Sequence, residues 1–238
     1  MSQNKTNFAV PLAFVGMMFF AIGFALGINS FLIPVLKGAL SLPSGVAYLL
    51  LAATFVPFLI FGYPASATIA KIGYKRTMAL SFLIFAVAFI LFVLSAKLEN
   101  FILFLIASFV SGAANAYLQA SVNPYITILG PIESAAKRMS IMGICNKLAW
   151  PVAPLFFALV VADQTNVQTS DLYLPFYIII GVFLLLGIIS LMAPLPEVKA
   201  AGEDESDTAN CPYAANKTSI WQFPHLVLGA LTLFIYVG

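Results

Sequence analysis

The sequence predicts an all-α, polytopic membrane protein, and three observations support that fold class. Hydrophobic residues make up 62% of the 238 residues, and charged residues make up only 8%. About a quarter of a typical soluble domain is charged, so this chain is not suited to face water on every side. Long apolar runs recur, each long enough for a helix to cross the hydrocarbon core. The short-period alternation of transmembrane β-strands is absent.

Six apolar segments are predicted to cross the membrane before the chain becomes polar. The first carries Gly23, Gly27 and Ser30 near one helical stripe, where another helix or a cavity is expected to approach. The second contains Pro57 and Pro64, which are expected to break it. The predicted spans are residues 8–36, 45–69, 77–95, 101–129, 139–162 and 172–191.

Three regions follow from this pattern. Residues 1–192 are predicted to form an amino-terminal bundle of six transmembrane helices. Residues 193–219 contain an acidic run and no apolar periodicity, which indicates an unstructured linker. Residues 220–238 begin another apolar run, which from Pro224 rises only about 22 Å as a helix and falls short of the hydrocarbon thickness. We expect half of a larger protein followed by a truncated seventh span.

The distribution of lysine and arginine predicts the orientation of the spans. Cytoplasmic loops of membrane proteins carry an excess of these residues. Only Lys37 and Lys97 fall on one side of the predicted spans, and Lys147 lies within a span. The other side carries Lys5, Lys71, Lys75, Arg76, Lys137, Arg138, Lys199 and Lys217. The amino terminus and the linker are therefore expected in the cytoplasm, in a bacterial-type inner membrane.

Several chemical functions are not supported by the composition. The basic residues are scattered, which argues against binding of nucleic acid. Cys145 and Cys211 are far apart and His225 is the only histidine, so no metal site is expected. There is no nucleotide-binding glycine loop and no nucleophile–base pair, so neither enzymatic activity nor a cofactor is expected.

Amide side chains in the fourth span predict one wall of a solute pathway. Asn115, Gln119 and Asn123 recur at i, i+4 and i+8 and share a helical face. An amide in hydrocarbon is unfavourable unless it meets water, a partner or a ligand. The alternative is helix packing by these amides, or, for Asn123, pairing of a carbonyl left free by Pro124. Asn29 in the first span is open to the same interpretations.

Lys147 is the most informative residue of the fifth span. It lies 9 residues after Arg138, about 13 Å along a helix and near mid-membrane. All nine acidic residues lie in loops or the linker, so this half of the protein offers Lys147 no buried partner. Either another half supplies an acid, or the substrate is anionic, or the amine is neutral.

Three stretches within residues 19–160 match a known protein family at consistent spacing. They are FALGINSFLIP at 24–34, KIGYK at 71–75, and NPYITILGP at 123–131 followed by Glu133 and Arg138. Together they resemble the fucose:proton symporter family of the major facilitator superfamily, in particular its glucose/galactose branch. The resemblance implies a six-helix amino-terminal half built from inverted three-helix repeats. It also implies alternating-access transport of a sugar through a polar cavity between two such halves.

The resemblance also implies site residues. The carboxylates that carry the coupled proton in the family match Ser30 and Gln119, neither of which titrates in the working range. The sugar-contacting asparagine of the fifth span matches Asn146, and Lys147 is expected to replace the missing carboxylates as the charged element. The candidate substrate-binding residues are Gln119, Asn146, Asn115, Asn123, Asn29 and Trp150, the last by stacking on the sugar.

A cytoplasmic gate is expected where the basic residues gather. Lys71, Lys75 and Arg76 form it in the turn after the second span, and Glu133 with Arg138 is expected to form a loop pair at the entry of the fifth span.

The expected substrate is a monosaccharide of the glucose/galactose type, with a proton or sodium as the coupling ion and the lipid bilayer as the other partner. Fucose, an amino sugar such as N-acetylglucosamine, or an acidic sugar are the alternatives within the same class. A non-transporting membrane scaffold or sensor is the alternative from a different class. The sequence does not determine the oligomeric state.

Overall fold

The structure is a computed structural model that describes residues 9–161, 167–193 and 222–237. The chain divides into two compact units, Met1–Val198 and Lys199–Gly238. The predicted linker from residue 194 onward, the amino-terminal tail and Cys211 lie outside the described residues. The boundaries of the three predicted regions therefore stay predictions.

Among the described residues, six helices belong to the first unit and one to the second. They are α1 Ala9–Ala39, α2 Ser44–Ala47, α3 Leu49–Lys97, α4 Phe101–Ile128, α5 Ala135–Val160, α6 Tyr173–Met192 and, in the second unit, α7 Pro224–Val237. Short 3-10 helices precede α5 and α6 at Ile132–Ser134 and Thr169–Leu172. Within the described ranges, five helical segments are long and apolar enough to cross a membrane. The predicted all-α membrane fold is confirmed.

The longest apolar segment, Ser44–Lys97, contains two of the predicted spans. Its 54 residues would extend about 80 Å as one straight helix, more than twice the hydrocarbon thickness. The helix is interrupted at Gly73, where φ is 82° and ψ is 169°. Ring pairs along α4 give the direction on each side: Phe61 with Tyr117, Tyr74 with Tyr125, and Phe92 with Phe104, at 6.1, 5.9 and 6.1 Å between centroids. The chain therefore runs parallel to α4 before Gly73 and antiparallel after it, so α3 supplies two spans.

The prolines do not break the second span as predicted, and the chain turns at Gly73, within the turn predicted between the spans at 45–69 and 77–95. Pro57 and Pro64 lie inside the helix, and only Gly73 has non-helical angles. A proline removes one backbone hydrogen bond, but its φ of about −65° is a helical angle. A strongly positive φ ends a right-handed helix, and glycine adopts it without steric penalty.

Close helix contacts form at the glycines of α1. A Cβ added at Gly23 would overlap the carbonyl oxygen of Asn146, and one added at Gly27 would lie 2.6 Å from the carbonyl oxygen of Trp150. The sequence predicted that either another helix or a cavity would lie against this stripe, and the structure shows another helix, α5. Glycine permits it because no side chain separates the backbones.

Aromatic packing holds the second part of α3 against α6. Phe85 stacks on Phe183 at 4.8 Å between ring centroids, and Phe92 stacks on Phe176 at 5.4 Å. All four side chains are almost completely buried. The two helices are therefore antiparallel neighbours, since Phe85 precedes Phe92 whereas Phe183 follows Phe176.

Candidate functional site

The helix α5 exposes two stripes of different chemistry. Residues three and four apart lie on one face of a helix. One exposed stripe is apolar and consists of Ile141, Ile144, Leu148 and Leu155. The other consists of Ser140, Gly143 and Lys147. The first stripe suits lipid, whereas an ammonium in hydrocarbon is unfavourable, so the second suits water or a polar partner.

Arg138 links the start of α5 to the end of α4. Its side chain is 8% exposed. The guanidinium donates to the carbonyl oxygens of Ile126, Thr127 and Pro131 at 3.1, 3.1 and 2.8 Å, and to the hydroxyl of Ser134. These acceptors include carbonyls at the last turn of α4, which have no partner within their own helix. Glu133 is exposed and receives no bond from Arg138 within the described part of the chain, so the expected loop pair is replaced by a helix cap.

Lys147 lies 9 residues beyond this cap, about 13 Å along α5. It is exposed, and its Nζ lies 5.7 Å from the centroid of the Trp150 ring. A cation over an exposed ring is stabilised by only about 0.5–1 kcal/mol. Among the described residues no carboxylate pairs with this ammonium, so its charge is not neutralised there.

Asn146 and Trp150 occupy the border between the polar stripe and the α1 contact. Both are half-buried. The Nδ2 of Asn146 donates to the carbonyl oxygen of Phe19 in α1 at 3.1 Å. The helix contact thus uses one donor of this amide, and its Oδ1 accepts no bond from any described residue. Trp150 packs against the apolar core on one side and presents its ring to Lys147 on the other.

The three amides of α4 differ in accessibility. Asn115 is fully buried, and neither its Nδ2 nor its Oδ1 has a hydrogen-bond partner in the described part of the protein. Gln119 and Asn123 are half-buried and make no hydrogen bond to a described residue. Pairing by Asn123 of a carbonyl freed by Pro124 is therefore not observed. Gln119 is therefore partly exposed without a partner among the described residues, whereas Asn115 is fully buried.

Two residues of α1 are bonded within the bundle. Asn29 is fully buried, and its Nδ2 donates to Ala25 O at 3.1 Å and to Ser111 Oγ of α4 at 3.3 Å. Ser30 donates through Oγ to Leu26 O at 3.1 Å. Asn29 thus joins α1 to α4, and Ser30 is satisfied by its own helix.

Ser111 is the partner that sequence reasoning did not assign. Its position four residues before Asn115 places both on one face of α4, together with Ser108. That spacing was the available signal. It could not identify Asn29 as the residue opposite, because the contact joins positions 82 residues apart.

The basic residues after the second span flank the break at Gly73. Lys71 and Arg76 are exposed and Lys75 is half-buried. None of them forms an ion pair with a residue that the structure describes. The structure brings them together at one turn, and their role as a gate stays a prediction.

Comparison with known proteins gives a consistent family. A profile described as Major Facilitator Superfamily matches residues 14–238. The chain is 32% identical over 242 residues to a glucose/galactose transporter of Brucella abortus biovar 1 (strain 9-941), covering 100% of this chain and 57% of that protein. It is 23% identical over 255 residues to the L-fucose-proton symporter of Escherichia coli (strain K12), covering 99% of this chain and 58% of that protein. The resemblance found in the motifs is confirmed, and the chain spans little more than half the length of these relatives.

A solved structure shares the fold. The chain superposes with a TM-score of 0.69 on FucP, a Major Facilitator Superfamily transporter crystallised in the outward conformation. The match covers 85% of this chain and 53% of FucP at 23% sequence identity. At this identity the likeness shows the fold alone, and it agrees with the six-span arrangement deduced from the contacts of α3.

Proposed function

The chain belongs to the Major Facilitator Superfamily, and on that premise we propose that the full-length protein carries a monosaccharide into the cell by secondary-active, alternating-access transport. The proposed substrate is a hexose of the glucose/galactose type, supported by the 32% identity to a relative that bears this name. Chemical conversion of the sugar is not part of the proposal.

The observation that carries the proposal is the polar stripe of α5. Lys147 is exposed about 13 Å into a helix that must cross hydrocarbon, and an apolar stripe on another face of the same helix suits the lipid. A charged residue in that position requires an aqueous or protein-lined space beside it. In a transporter built from two halves, that space is the route of the solute.

The half-buried residues around this stripe have the chemistry that a sugar needs. The carboxamide of Gln119 has no hydrogen-bond partner among the described residues, and it offers two donors and an acceptor to sugar hydroxyls. Asn146 bonds α1 through its Nδ2, and its Oδ1 accepts no bond in the part of the chain that the structure describes. The ring of Trp150 supplies an aromatic face for the apolar side of a pyranose. We assign direct sugar contacts to these three residues and a supporting role to Asn115, Asn123 and Asn29.

Coupling is proposed to depend on Lys147, with a proton or sodium as the coupling ion. Ser30 and Gln119 stand where the resemblance places proton-carrying carboxylates, and neither is an acid. Lys147 is then the remaining charged group on the wall, either as a group that titrates during the cycle or as a fixed cation.

An acidic sugar is the second candidate substrate, and the unpaired Lys147 is the observation that favours it. A substrate carboxylate would neutralise this ammonium, which has no acidic partner among the described residues. The two candidates differ in the charge that the solute brings to the same position.

A counterflow assay tests the transport function. The full-length protein is reconstituted into proteoliposomes that contain one unlabelled sugar. Uptake of the same sugar in labelled form is then measured for glucose, galactose, fucose, N-acetylglucosamine and glucuronate in turn. We expect glucose or galactose to exchange fastest. We expect Gln119→Ala to reduce exchange at least about tenfold, because the variant loses the hydrogen bonds between the carboxamide and the sugar hydroxyls. Failure of all five sugars to exchange would contradict the function, and preference for glucuronate would establish the second candidate.

The role of Lys147 needs a separate measurement. Uptake by Lys147→Ala is compared with wild type over a range of pH and sodium concentration, and Leu148→Ala on the neighbouring lipid stripe is the control. We expect the dependence on the coupling ion to change in Lys147→Ala alone. Unchanged coupling together with unchanged affinity would remove Lys147 from the mechanism.

A further inference from the structure

A groove of about 320 Å³ lies between the second part of α3 and α6. Ala79, Leu80 and Leu83 form its α3 side, and Gly187 and Ile188 contribute to its α6 side. A Cβ added at Gly187 would lie 3.4 Å from Phe82 Cβ, which is an ordinary contact, so the packing of the two helices does not require glycine here. The absence of a side chain at this position leaves the groove deeper. The groove lies between two helical segments that are long and apolar enough to cross a membrane.

The surface around the groove is apolar. On α3, Leu83, Val87 and Ile90 are 54%, 46% and 53% exposed, and on α6, Ile188 and Leu191 are 56% and 54% exposed. This composition contrasts with the stripe of α5 that carries Lys147. It indicates that the α3–α6 face meets the hydrocarbon of the bilayer.

Arg76 is the charged residue that lines this groove. It is exposed and makes no hydrogen bond or ion pair with a described residue. Because α3 and α6 are antiparallel, Arg76 lies level with the end of α6 at Leu191 and the apolar wall extends from it toward Leu83, about 10 Å along the helix. The groove therefore has a cation at one end and hydrocarbon along its length.

We propose that this groove binds an anionic phospholipid, with the phosphate on the Arg76 guanidinium and one acyl chain along the wall between Leu80 and Ile188. A guanidinium pairs with phosphate through two parallel hydrogen bonds. Arg76 lies on the side to which the lysine and arginine distribution assigns the cytoplasm, where the leaflet carries anionic lipids. A purely apolar ligand would leave the cation unpaired, and a soluble anion would leave the apolar wall uncovered, whereas a phospholipid satisfies both.

The experiment measures lipid binding by the full-length protein in detergent. Dioleoyl phosphatidylglycerol is titrated, with dioleoyl phosphatidylcholine as the zwitterionic lipid of equal chain length, and bound lipid is counted by native mass spectrometry. We expect one phosphatidylglycerol site that phosphatidylcholine does not fill. Arg76→Gln is expected to weaken that site at least about tenfold, and Arg76→Lys to weaken it less because the charge remains.

Lys71→Gln is the matched control, because Lys71 is exposed in the same basic turn but does not line the groove. An equal loss of binding in Lys71→Gln and Arg76→Gln would overturn the proposal in favour of diffuse attraction to a basic surface. Equal binding of the two lipids by wild type would also overturn it.

Gly187→Leu tests the acyl part of the site. The Cβ of the new side chain would contact Phe82, and the rest of that side chain would fill part of the groove. We expect it to reduce phosphatidylglycerol binding, and Gly187→Ala to reduce it less. Unchanged lipid binding in a folded Gly187→Leu protein would contradict the groove as the acyl site. Glycerol 1-phosphate, which lacks acyl chains, is expected not to compete, and its competition would instead indicate a site for a soluble phosphate. These readouts do not depend on which sugar the protein transports.

Discussion

At the scale of single residues, side chains at neighbouring positions have unrelated tasks. Asn146 ties α5 to the carbonyl of Phe19, while Lys147 beside it is exposed on the polar stripe. Asn115 and Gln119 share a helical face, yet only Gln119 is accessible to a ligand. Chemical type alone therefore does not separate the residues that join helices from those that border the proposed cavity.

Arg138 is expected to stabilise the bundle as a cap of α4. Arg138→Ala removes a guanidinium that donates to three carbonyl oxygens, and we expect it to lower the free energy of unfolding by about 1.5–3 kcal/mol. Thermal unfolding of the purified protein in detergent measures the change. Lys137→Ala, at an exposed position next to it, is the control and should have little effect. Similar melting temperatures for both variants would rule out the capping role.

Gly23 is expected to set the distance between α1 and α5. Because the Cβ of Gly23→Ala would overlap the carbonyl oxygen of Asn146, the helices must separate and lose contact, at a cost of about 1–3 kcal/mol. Thermal unfolding measures this cost, and we expect the variant to melt at a lower temperature than wild type. Gly16→Ala is the control in the same helix, since its Cβ would lie 3.6 Å from Met142 Sδ in ordinary contact. Equal stability of the two variants would contradict the close packing at Gly23.

At the scale of elements, α3 shows how one residue divides a hydrophobic segment into two spans. The apolar run continues on both sides of Gly73 and two prolines lie within the helix, but the chain turns only at the glycine. The basic residues at this turn keep it at the membrane surface. The same turn places Arg76 at the end of the α3–α6 groove.

Gly73→Ala is expected to destabilise the turn. Its φ of 82° and ψ of 169° lie in a region that is essentially restricted to glycine, where a Cβ costs roughly 1–3 kcal/mol. Gly62→Ala is the matched control, because Gly62 lies in the same helix and a Cβ there would have no neighbour within 4 Å. Alanine favours a helix by about 0.5–1 kcal/mol over glycine, so we expect Gly62→Ala to raise the melting temperature and Gly73→Ala to lower it. A rise in both would contradict the strained turn.

At the scale of the whole molecule, the six spans form one half of a major facilitator fold. The exposed faces of this half differ: the α3–α6 face is apolar, whereas α5 presents a stripe that includes Lys147. This asymmetry suits a protein whose outer face meets lipid and whose inner face meets a solute route. The chain covers 57% of the length of its glucose/galactose transporter relative.

The orientation of the bundle gives a prediction at this scale. With Cys145 and Cys211 replaced by serine, Lys37→Cys should react with a membrane-impermeant maleimide in intact cells. Lys71→Cys should react only after the membrane is permeabilised, because its turn is expected in the cytoplasm. Both positions are exposed, so a lack of labelling cannot come from burial. The reverse pattern would invert the predicted topology.

The fold was predictable to a large extent because membrane insertion depends on local composition. Hydrophobic runs identified the spans to within a few residues, and the glycine stripe of α1 predicted a close approach. The turn between the two spans of α3 was predictable as well, since Gly73 lies between the predicted spans at 45–69 and 77–95, but the expected break of the second span at Pro57 and Pro64 is not observed. The expected break at the prolines was wrong because the φ of proline is compatible with a helix, whereas the predicted turn after the second span contains the positive φ of Gly73.

By itself, the sequence determined the class of protein, the number of spans and the polar residues from which a site can be built, because hydrophobicity and helical periodicity are properties of adjacent residues. Only the tertiary structure decided that Asn115 is sealed, that Gln119 is reachable, that Arg138 caps α4 instead of pairing with Glu133, and that Arg76 borders a groove. The physical reason is that burial and hydrogen-bond partners depend on helices far apart in the chain. Periodicity specifies the face on which a residue lies, and packing specifies what that face meets.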